Sequence, residues 1–215
     1  MNIIKKLRKL KIREIGSGNM LNENIIKQIK DYAELNNVPI ITDEGLEYLT
    51  KYIKDNNVKK ILEVGAAIGY SSIMMCNVSE DICVTTIERD EKRYLEAIKN
   101  IKKLDLESRI NLIYKDALEV NLDDEYDLIF IDAAKAQNQK FFERYEKNLK
   151  KDGTIITDNM NFHGLVDTDP SKIESRNLRQ LVRKVKNYKK FLEGNSSFKT
   201  EFLDIGDGLA VSKRV

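Results

Sequence analysis

Two short stretches of the 215-residue chain carry residues with metal-binding chemistry: "FIDAAK" holds Asp132 with Lys135 three residues on, and "TDN" holds Asp158 directly before Asn159. Each follows an apolar, β-favouring run, "YDLIFI" and "GTIIT", so each acid stands where a strand should end. Two carboxylates and an amide oxygen from neighbouring strand ends make a hard oxygen set suited to Mg²⁺, with Mn²⁺ or Ca²⁺ as alternatives. Either motif alone would serve equally well as an acid capping a helix or turn; the two together point to a metal site. Zinc is disfavoured, because His163 is the only histidine and Cys76 and Cys83 lie in apolar surroundings without paired-cysteine spacing. The same single histidine argues against a hydrolase triad.

A third stretch, "ILEVGAAIGYSS" over residues 61–72, breaks from an apolar run into small residues and then a helical pattern. A dinucleotide-binding turn brings a pyrophosphate against a helix N-terminus, but here Ala67 stands in place of the middle glycine and Glu63 adds negative charge. A nucleotide without phosphates fits better. S-adenosylmethionine carries a sulfonium and an amino group, which carboxylates attract where they would repel pyrophosphate. The next strand ends in Glu88, 23 residues after Gly65, where a carboxylate can accept both ribose hydroxyls; this feature is shared with NAD sites. "KDALE" then places Asp116 where an adenine amino group would lie in a methyltransferase. A bland alternative stays open for the turn by itself, since many α/β domains have a glycine turn and strand-end acids.

The elements that must hold these residues alternate. A helix is expected over "NENIIKQIKDYAELNN" and a second from the Thr42 cap. Then come "KILEV", a helix from about Ser71, "ICVTTIE", a helix over "EKRYLEAIKNIKKL", "INLIY", "YDLIFI", a helix over "NQKFFERYEKNL" and "GTIIT". Short strands rich in Ile and Val suit parallel strands covered on both faces, so the fold class is α/β with a doubly wound sheet. A polar helix over "SRNLRQLVRKVKNYKKFLE" precedes "FKTEFLDI" and "LAVS", which flank "GDG" as a C-terminal antiparallel hairpin. In such sheets ligands bind beyond the carboxyl ends of the strands, near the point where strand order reverses.

Composition bounds the rest. The length suits a single domain over residues 1–215, with residues 1–37 as an N-terminal helical extension. A net charge of +2, from 37 basic and 35 acidic residues, confines any polyanion site to local patches. Two exist: residues 1–13 hold six Lys or Arg and no acid, and residues 175–192 hold seven and no acid. Both could face an RNA backbone, or be solvated or dimer-packing helix faces. The first also suits a membrane-surface helix but lacks aromatic anchors. Cysteine usage and the lack of a signal-peptide core or membrane-spanning run lead us to expect a soluble, cytoplasmic protein with no membrane partner.

Taken in order, "VPII", "ILEVGAAIGYSS", "TIERD", "KDAL", "FIDAAK", "ITDN" and "GDGLAVS" resemble the metal-dependent O-methyltransferases of the catechol and caffeoyl-CoA type. With "ESRNLRQLV" before the hairpin, the chain resembles more closely the bacterial tRNA 5-hydroxyuridine methyltransferases, which make 5-methoxyuridine at the wobble position. The resemblance implies a Rossmann-like class I methyltransferase sheet. It implies that Ile41, Glu63, Gly65, Tyr70, Ser71, Glu88, Asp116, Ala117 and Asp132 line the S-adenosylmethionine site, and that Asp132, Asp158 and Asn159 hold Mg²⁺. Lys135 and Asp132 become the catalytic pair, with Lys135 either the base or an electrostatic stabiliser of the oxyanion. An isologous homodimer is a further implication.

Three readings of function follow. The first is methylation of the tRNA anticodon region, with Arg176, Arg179, Arg183 and Lys186 as candidate RNA contacts. The second is methylation of a small catechol or caffeoyl-CoA-type acceptor. The third, a non-catalytic nucleotide- or RNA-binding module, is disfavoured by the complete set of Asp132, Lys135, Asp158 and Asn159.

Overall fold

The computed structural model describes residues 22–161, 173 and 175–215. The N-terminal basic run, the first part of the expected helical extension and His163 lie outside the described residues. The elements in order are α1 (Glu23–Leu35), α2 (Asp43–Asp55), β1 (Lys60–Val64), α3 (Tyr70–Cys76), β2 (Cys83–Glu88), α4 (Glu91–Lys102), β3 (Ile110–Tyr114) and β4 (Tyr126–Ile131). A 3₁₀ turn (Lys135–Gln137), α5 (Asn138–Tyr145), a second 3₁₀ turn (Glu146–Asn148), β5 (Leu149–Thr157), α6 (Arg176–Glu193), β6 (Phe198–Leu203) and β7 (Leu209–Arg214) complete them.

Helix starts follow the local chemistry of the sequence. Thr42 Oγ1 accepts the Gly45 N–H at 3.1 Å, Asp90 Oδ1 accepts the Arg93 N–H at 3.0 Å and Ser175 Oγ accepts the Leu178 N–H at 3.3 Å, each satisfying an amide that the first helical turn leaves without a partner. The helix expected over residues 138–149 is shorter, tightening into the second 3₁₀ turn after Tyr145. In exchange β5 is longer than "GTIIT": it begins at Leu149, opposite Tyr126, with a register shift between Tyr126 and Leu128 that absorbs the extra residues. Lys150 Nζ binds Asp127 Oδ1 at 2.7 Å beside that irregularity, so polar residues that read as a loop form part of a strand.

The seven strands form one sheet in the order β3-β2-β1-β4-β5-β7-β6, the first five parallel and β7 antiparallel to both β5 and β6. This is the Rossmann-like α/β sheet with a C-terminal hairpin that the alternation predicts. Side-chain alternation along β1 divides the core: Ile61 joins Leu49, Ile53 and Ile73 on one face, while Leu62 and Val64 join Ile129, Phe142 and Tyr188 on the other. Strand order reverses between β1 and β4, so the loops that follow them splay apart and leave a crevice at their carboxyl ends.

Candidate active site

That crevice is a cleft of about 730 Å³. Its walls bring together Gly65, Glu88, Asp116, Ala117, Asp132, Lys135, Asp158 and Asn159 from the ends of separate strands.

Asp132 and Asp158 come together because their strands are in register. Ile131 lies opposite Thr157, and the parallel ladder continues one residue further, with the Asp158 N–H donating to the Ile131 carbonyl at 3.0 Å. Asp132 is anchored on its other side by its own N–H, which donates to the Val64 carbonyl at 3.0 Å. Asn159 has a left-handed backbone, φ 66°, tolerable for Asn, and turns its amide so that Nδ2 donates to Asp132 Oδ1 at 2.9 Å. Lost hydration at the foot of the cleft, then repulsion from Glu63, pushes the Asp132 carboxyl up to about 7; burial, then Asp132 itself, does the same to Asp158. Two carboxyls with too little counter-charge favour a divalent cation.

Among the described residues no group of three or more His, Cys, Asp or Glu side chains is placed to hold a metal ion. Asp132, Asp158 and Asn159 offer two carboxylates and an amide oxygen, a set that would suit Mg²⁺, an ion that keeps several waters and needs few protein ligands. Lys135, on the 3₁₀ turn, lines the same cleft as these acids. Burial lowers its ammonium pKa, opposed by the charges of Asp207, Asp132 and Asp158.

The glycine turn is braced by Glu88. Its Oε2 accepts the Ala67 N–H at 2.8 Å, and Oε1 accepts the N–H groups of Arg89 and Asp90 at 2.9 and 2.8 Å. Ala67 is thereby held at φ 45°, a left-handed conformation that costs a non-glycine residue about 1–2 kcal/mol. Gly65, at φ 106°, runs so close to Asp132 that an added Cβ would lie 2.8 Å from the Asp132 carbonyl carbon. Asp116 Oδ1 accepts the Leu118 N–H at 2.9 Å and Oδ2 pairs with Arg89 Nη1 at 3.0 Å, which together hold its carboxyl below the usual range.

Four residues expected to line the cofactor site are not in the cleft wall: Ile41, Glu63, Tyr70 and Ser71 are buried behind it. For Glu63 the direct contact inferred from charge is corrected to a supporting one. It has no exposed surface, and its carboxylate accepts hydrogen bonds from the hydroxyls of Ser71, Ser72 and Thr86. Burial raises its pKa against the pull of those three donors. Ile40 and Thr42 line the cleft in place of Ile41.

Other lining residues carry no signal in the sequence. Arg89 and Arg93 flank the Glu88–Asp116 end, Leu181 reaches in from α6, and Asp207 comes from the turn between β6 and β7. "GDG" reads as a hairpin turn, and nothing local says that its acid faces the other strand ends.

A second hollow, of about 480 Å³, is lined by Arg176, Arg179, Gln180, Arg183 and Lys186 of α6. These cations repeat at three- and four-residue intervals and share one helix face. Arg179 has a structural task as well, its guanidinium donating to the Ile173 carbonyl. α6 packs against the 3₁₀ turn bearing Lys135 and lends Leu181 to the cleft wall, while its basic residues occupy the helix face turned away from the buried Val182, Val185 and Tyr188. No helix among the described residues is long and apolar enough to cross a membrane.

A family model described as O-methyltransferase matches residues 16–215. A caffeoyl-CoA O-methyltransferase from Populus kitakamiensis is 28% identical over 208 residues, covering 93% of this chain and 88% of that protein. A provisionally named caffeoyl-CoA O-methyltransferase from Staphylococcus aureus has a solved structure with 43% identity and a TM-score of 0.86, covering 98% of both chains. An O-methyltransferase from Bacillus cereus, solved with SAH, shares the fold at a TM-score of 0.78 and 21% identity, covering 97% of this chain and 96% of that one.

Proposed function

The chain belongs to the O-methyltransferase family, and from that premise we propose that it transfers the methyl group of S-adenosylmethionine to the 5-hydroxyl of wobble 5-hydroxyuridine in tRNA. The observation that carries the reading is the pairing of Asp132 and Asp158 in one cleft with Lys135, and the basic outer face of α6, a helix that lends Leu181 to that cleft, supports the choice of acceptor. A 5-hydroxyuridine offers a hydroxyl next to a carbonyl, as a catechol offers two adjacent oxygens, so a site built for one geometry suits the other. The cations of α6 suit the phosphates that flank such a nucleotide.

The chain's own residues divide the work. Glu88, already oriented by three backbone amides, has carboxylate lone pairs left for the ribose hydroxyls, and Asp116 lies further along the same wall. The Gly65 turn, lacking a side chain, packs directly on the Asp132 backbone and so joins the turn to the acid within one cleft wall. Asp132, Asp158 and Asn159 would hold Mg²⁺, which would supply Lewis-acid polarisation of the acceptor hydroxyl. Lys135, its ammonium favoured by three nearby acids yet disfavoured by burial, is suited to receive the hydroxyl proton or to stabilise the oxyanion. The acceptor oxygen bonds to the methyl carbon as the carbon–sulfur bond breaks, leaving a neutral thioether. Holding both reactants in line supplies much of the acceleration.

A second reading has its own support. The similarity to caffeoyl-CoA O-methyltransferases favours a small acceptor with adjacent oxygens, a catechol or a caffeoyl thioester. Incubation of the protein with labelled S-adenosylmethionine and either tRNA containing 5-hydroxyuridine or caffeoyl-CoA separates the two. Labelled 5-methoxyuridine, detected by nucleoside mass spectrometry, is the expected product. Efficient transfer to caffeoyl-CoA with none to tRNA would replace the RNA reading.

A further inference from the structure

Two cations line the β2–β3 end of the cleft. The Lys115 N–H donates to the Glu88 carbonyl at 3.0 Å, which carries the ladder of Glu88 with Tyr114 one residue further, and Arg93 stands on the first turn of α4. Both side chains line the cleft, and neither has a hydrogen-bond or ion-pair partner among the described residues. The acids beside them are engaged: Glu88 by three backbone amides, Asp90 by the Arg93 amide, and Asp116 by Arg89 at 3.0 Å. The adenosine end of S-adenosylmethionine carries no anionic group, so the cofactor has nothing for these cations to hold.

The chain next to them carries an aromatic pair. Tyr94 follows Arg93 and Tyr114 precedes Lys115, and their ring centroids are 4.8 Å apart with planes tilted by 32°. Tyr114 is nevertheless 50% exposed, at the end of the edge strand β3. A ring held by a second ring and still half open to solvent is a preorganised stacking surface, because little side-chain freedom remains to be lost on binding. An exposed aromatic beside unpaired cations suits a single-stranded nucleic acid, whose bases stack while its phosphates meet positive charge. The basic residues of α6 are on the helix face turned away from its buried side, whereas Arg93 and Lys115 are in the cleft wall itself.

We propose that this corner is an RNA contact: an unpaired base near the nucleotide being methylated stacks on Tyr114, and the adjoining phosphates lie against Arg93 and Lys115. It rests on the RNA reading of the acceptor and extends the contact from α6 to the margin of the cleft.

Fluorescence anisotropy of a labelled anticodon stem-loop carrying 5-hydroxyuridine, with the full-length protein saturated by S-adenosylhomocysteine, tests this. Tyr114→Leu keeps apolar bulk and removes the aromatic face; it should weaken stem-loop binding about tenfold with the salt slope unchanged. Arg93→Gln combined with Lys115→Gln should lower that slope by about one for each cation. An RNA duplex of equal length, with no unpaired base, should bind the parent and Tyr114→Leu alike. Stem-loops with 2-aminopurine at the loop positions flanking the wobble nucleotide should show quenching on binding that Tyr114→Leu relieves. Unchanged stem-loop affinity in both variants overturns the proposal, as does a parent that binds neither RNA. Equal losses for duplex and stem-loop on Tyr114→Leu overturn it too. A parallel loss of S-adenosylhomocysteine affinity in calorimetry would put these residues in the cofactor site, with the same result. If Tyr114→Leu changes only the oligomeric state in sedimentation, the corner is an interface between copies and the proposal falls. Stem-loop binding with the expected pattern but no methyl transfer leaves this inference standing and removes the acceptor reading; methylation of the stem-loop with parental KM in every variant does the reverse.

Discussion

Asp132 and Asp158 occupy matched positions one residue beyond the paired ends of β4 and β5, where Ile131 lies opposite Thr157. Parallel strands in register deliver successive side chains side by side, so two acids far apart in the chain share one pocket and resist being ionised together. The pH behaviour of the protein follows from this pair.

Both carboxyls are raised to about 7, above the unfolded range near 4, so the native state binds more protons between those values. Without divalent ions, thermal stability should fall as pH rises from about 4 to about 7. Mg²⁺ needs the ionised pair, so the rise in Tm on adding it should be larger at pH 8 than at pH 6. Asp158→Asn should flatten the pH dependence, remove most of the Mg²⁺ effect and abolish most turnover, with S-adenosylmethionine binding largely kept. Differential scanning fluorimetry across pH provides the check; a Mg²⁺ effect independent of pH would contradict the assignment.

Glu88 braces the turn through three backbone amides as well as facing the cleft. Glu88→Gln removes the charge and exchanges one acceptor oxygen for a donor. S-adenosylmethionine affinity should drop by about 1.5–3 kcal/mol, the scale of hydrogen bonds to a charged group. Isothermal titration reads this directly, and an unchanged Kd would remove Glu88 from the cofactor site.

Gly65→Ala places a methyl group against the Asp132 carbonyl at a backbone angle that alanine rarely adopts. Backbone strain alone should cost about 2 kcal/mol. For a chain of this size that corresponds to a Tm lower by about 4–8 °C. Cofactor binding should weaken together with stability, because the strain falls on the turn that approaches the ligand. A variant with parental Tm and affinity would show that the turn relaxes freely.

The basic face of α6 calls for a choice of variants that spares its fold. Since Arg179 also supports the Ile173 carbonyl, Arg176→Glu with Arg183→Glu is the cleaner pair. If tRNA is the acceptor, this pair should raise its KM and reduce the slope of log affinity against log salt by about one for each phosphate no longer neutralised. S-adenosylmethionine affinity and transfer to a small catechol should be unaffected. Equal impairment with tRNA and catechol would show that these arginines act on the fold.

Local pattern was enough for the alternating elements, the cap at Thr42, the glycine turn and the acids at the ends of β2, β4 and β5. Strand ends and helix starts are set by neighbouring residues, and ligand sites in wound sheets lie at strand ends. The burial of Glu63 was half legible: alternation along β1 puts it on the face of Ile61, under the helix that carries Ser71 and Ser72, but charge alone suggested a ligand contact. The start of β5 at Leu149 was hidden by Lys150, Lys151 and Asp152, whose polarity is tolerated only because Tyr126 and a register shift receive them. Asp207 was not legible. A turn residue advertises only its conformation, and its place in the cleft wall is decided by the antiparallel pairing of β7 with β5 and by the contacts of Met160 and Asn161 with the turn. The sequence by itself determined which strand ends carry chemistry, because that is written in short-range pattern; tertiary structure alone decided which charges confront one another, because electrostatic interactions depend on distance in space and not on separation along the chain.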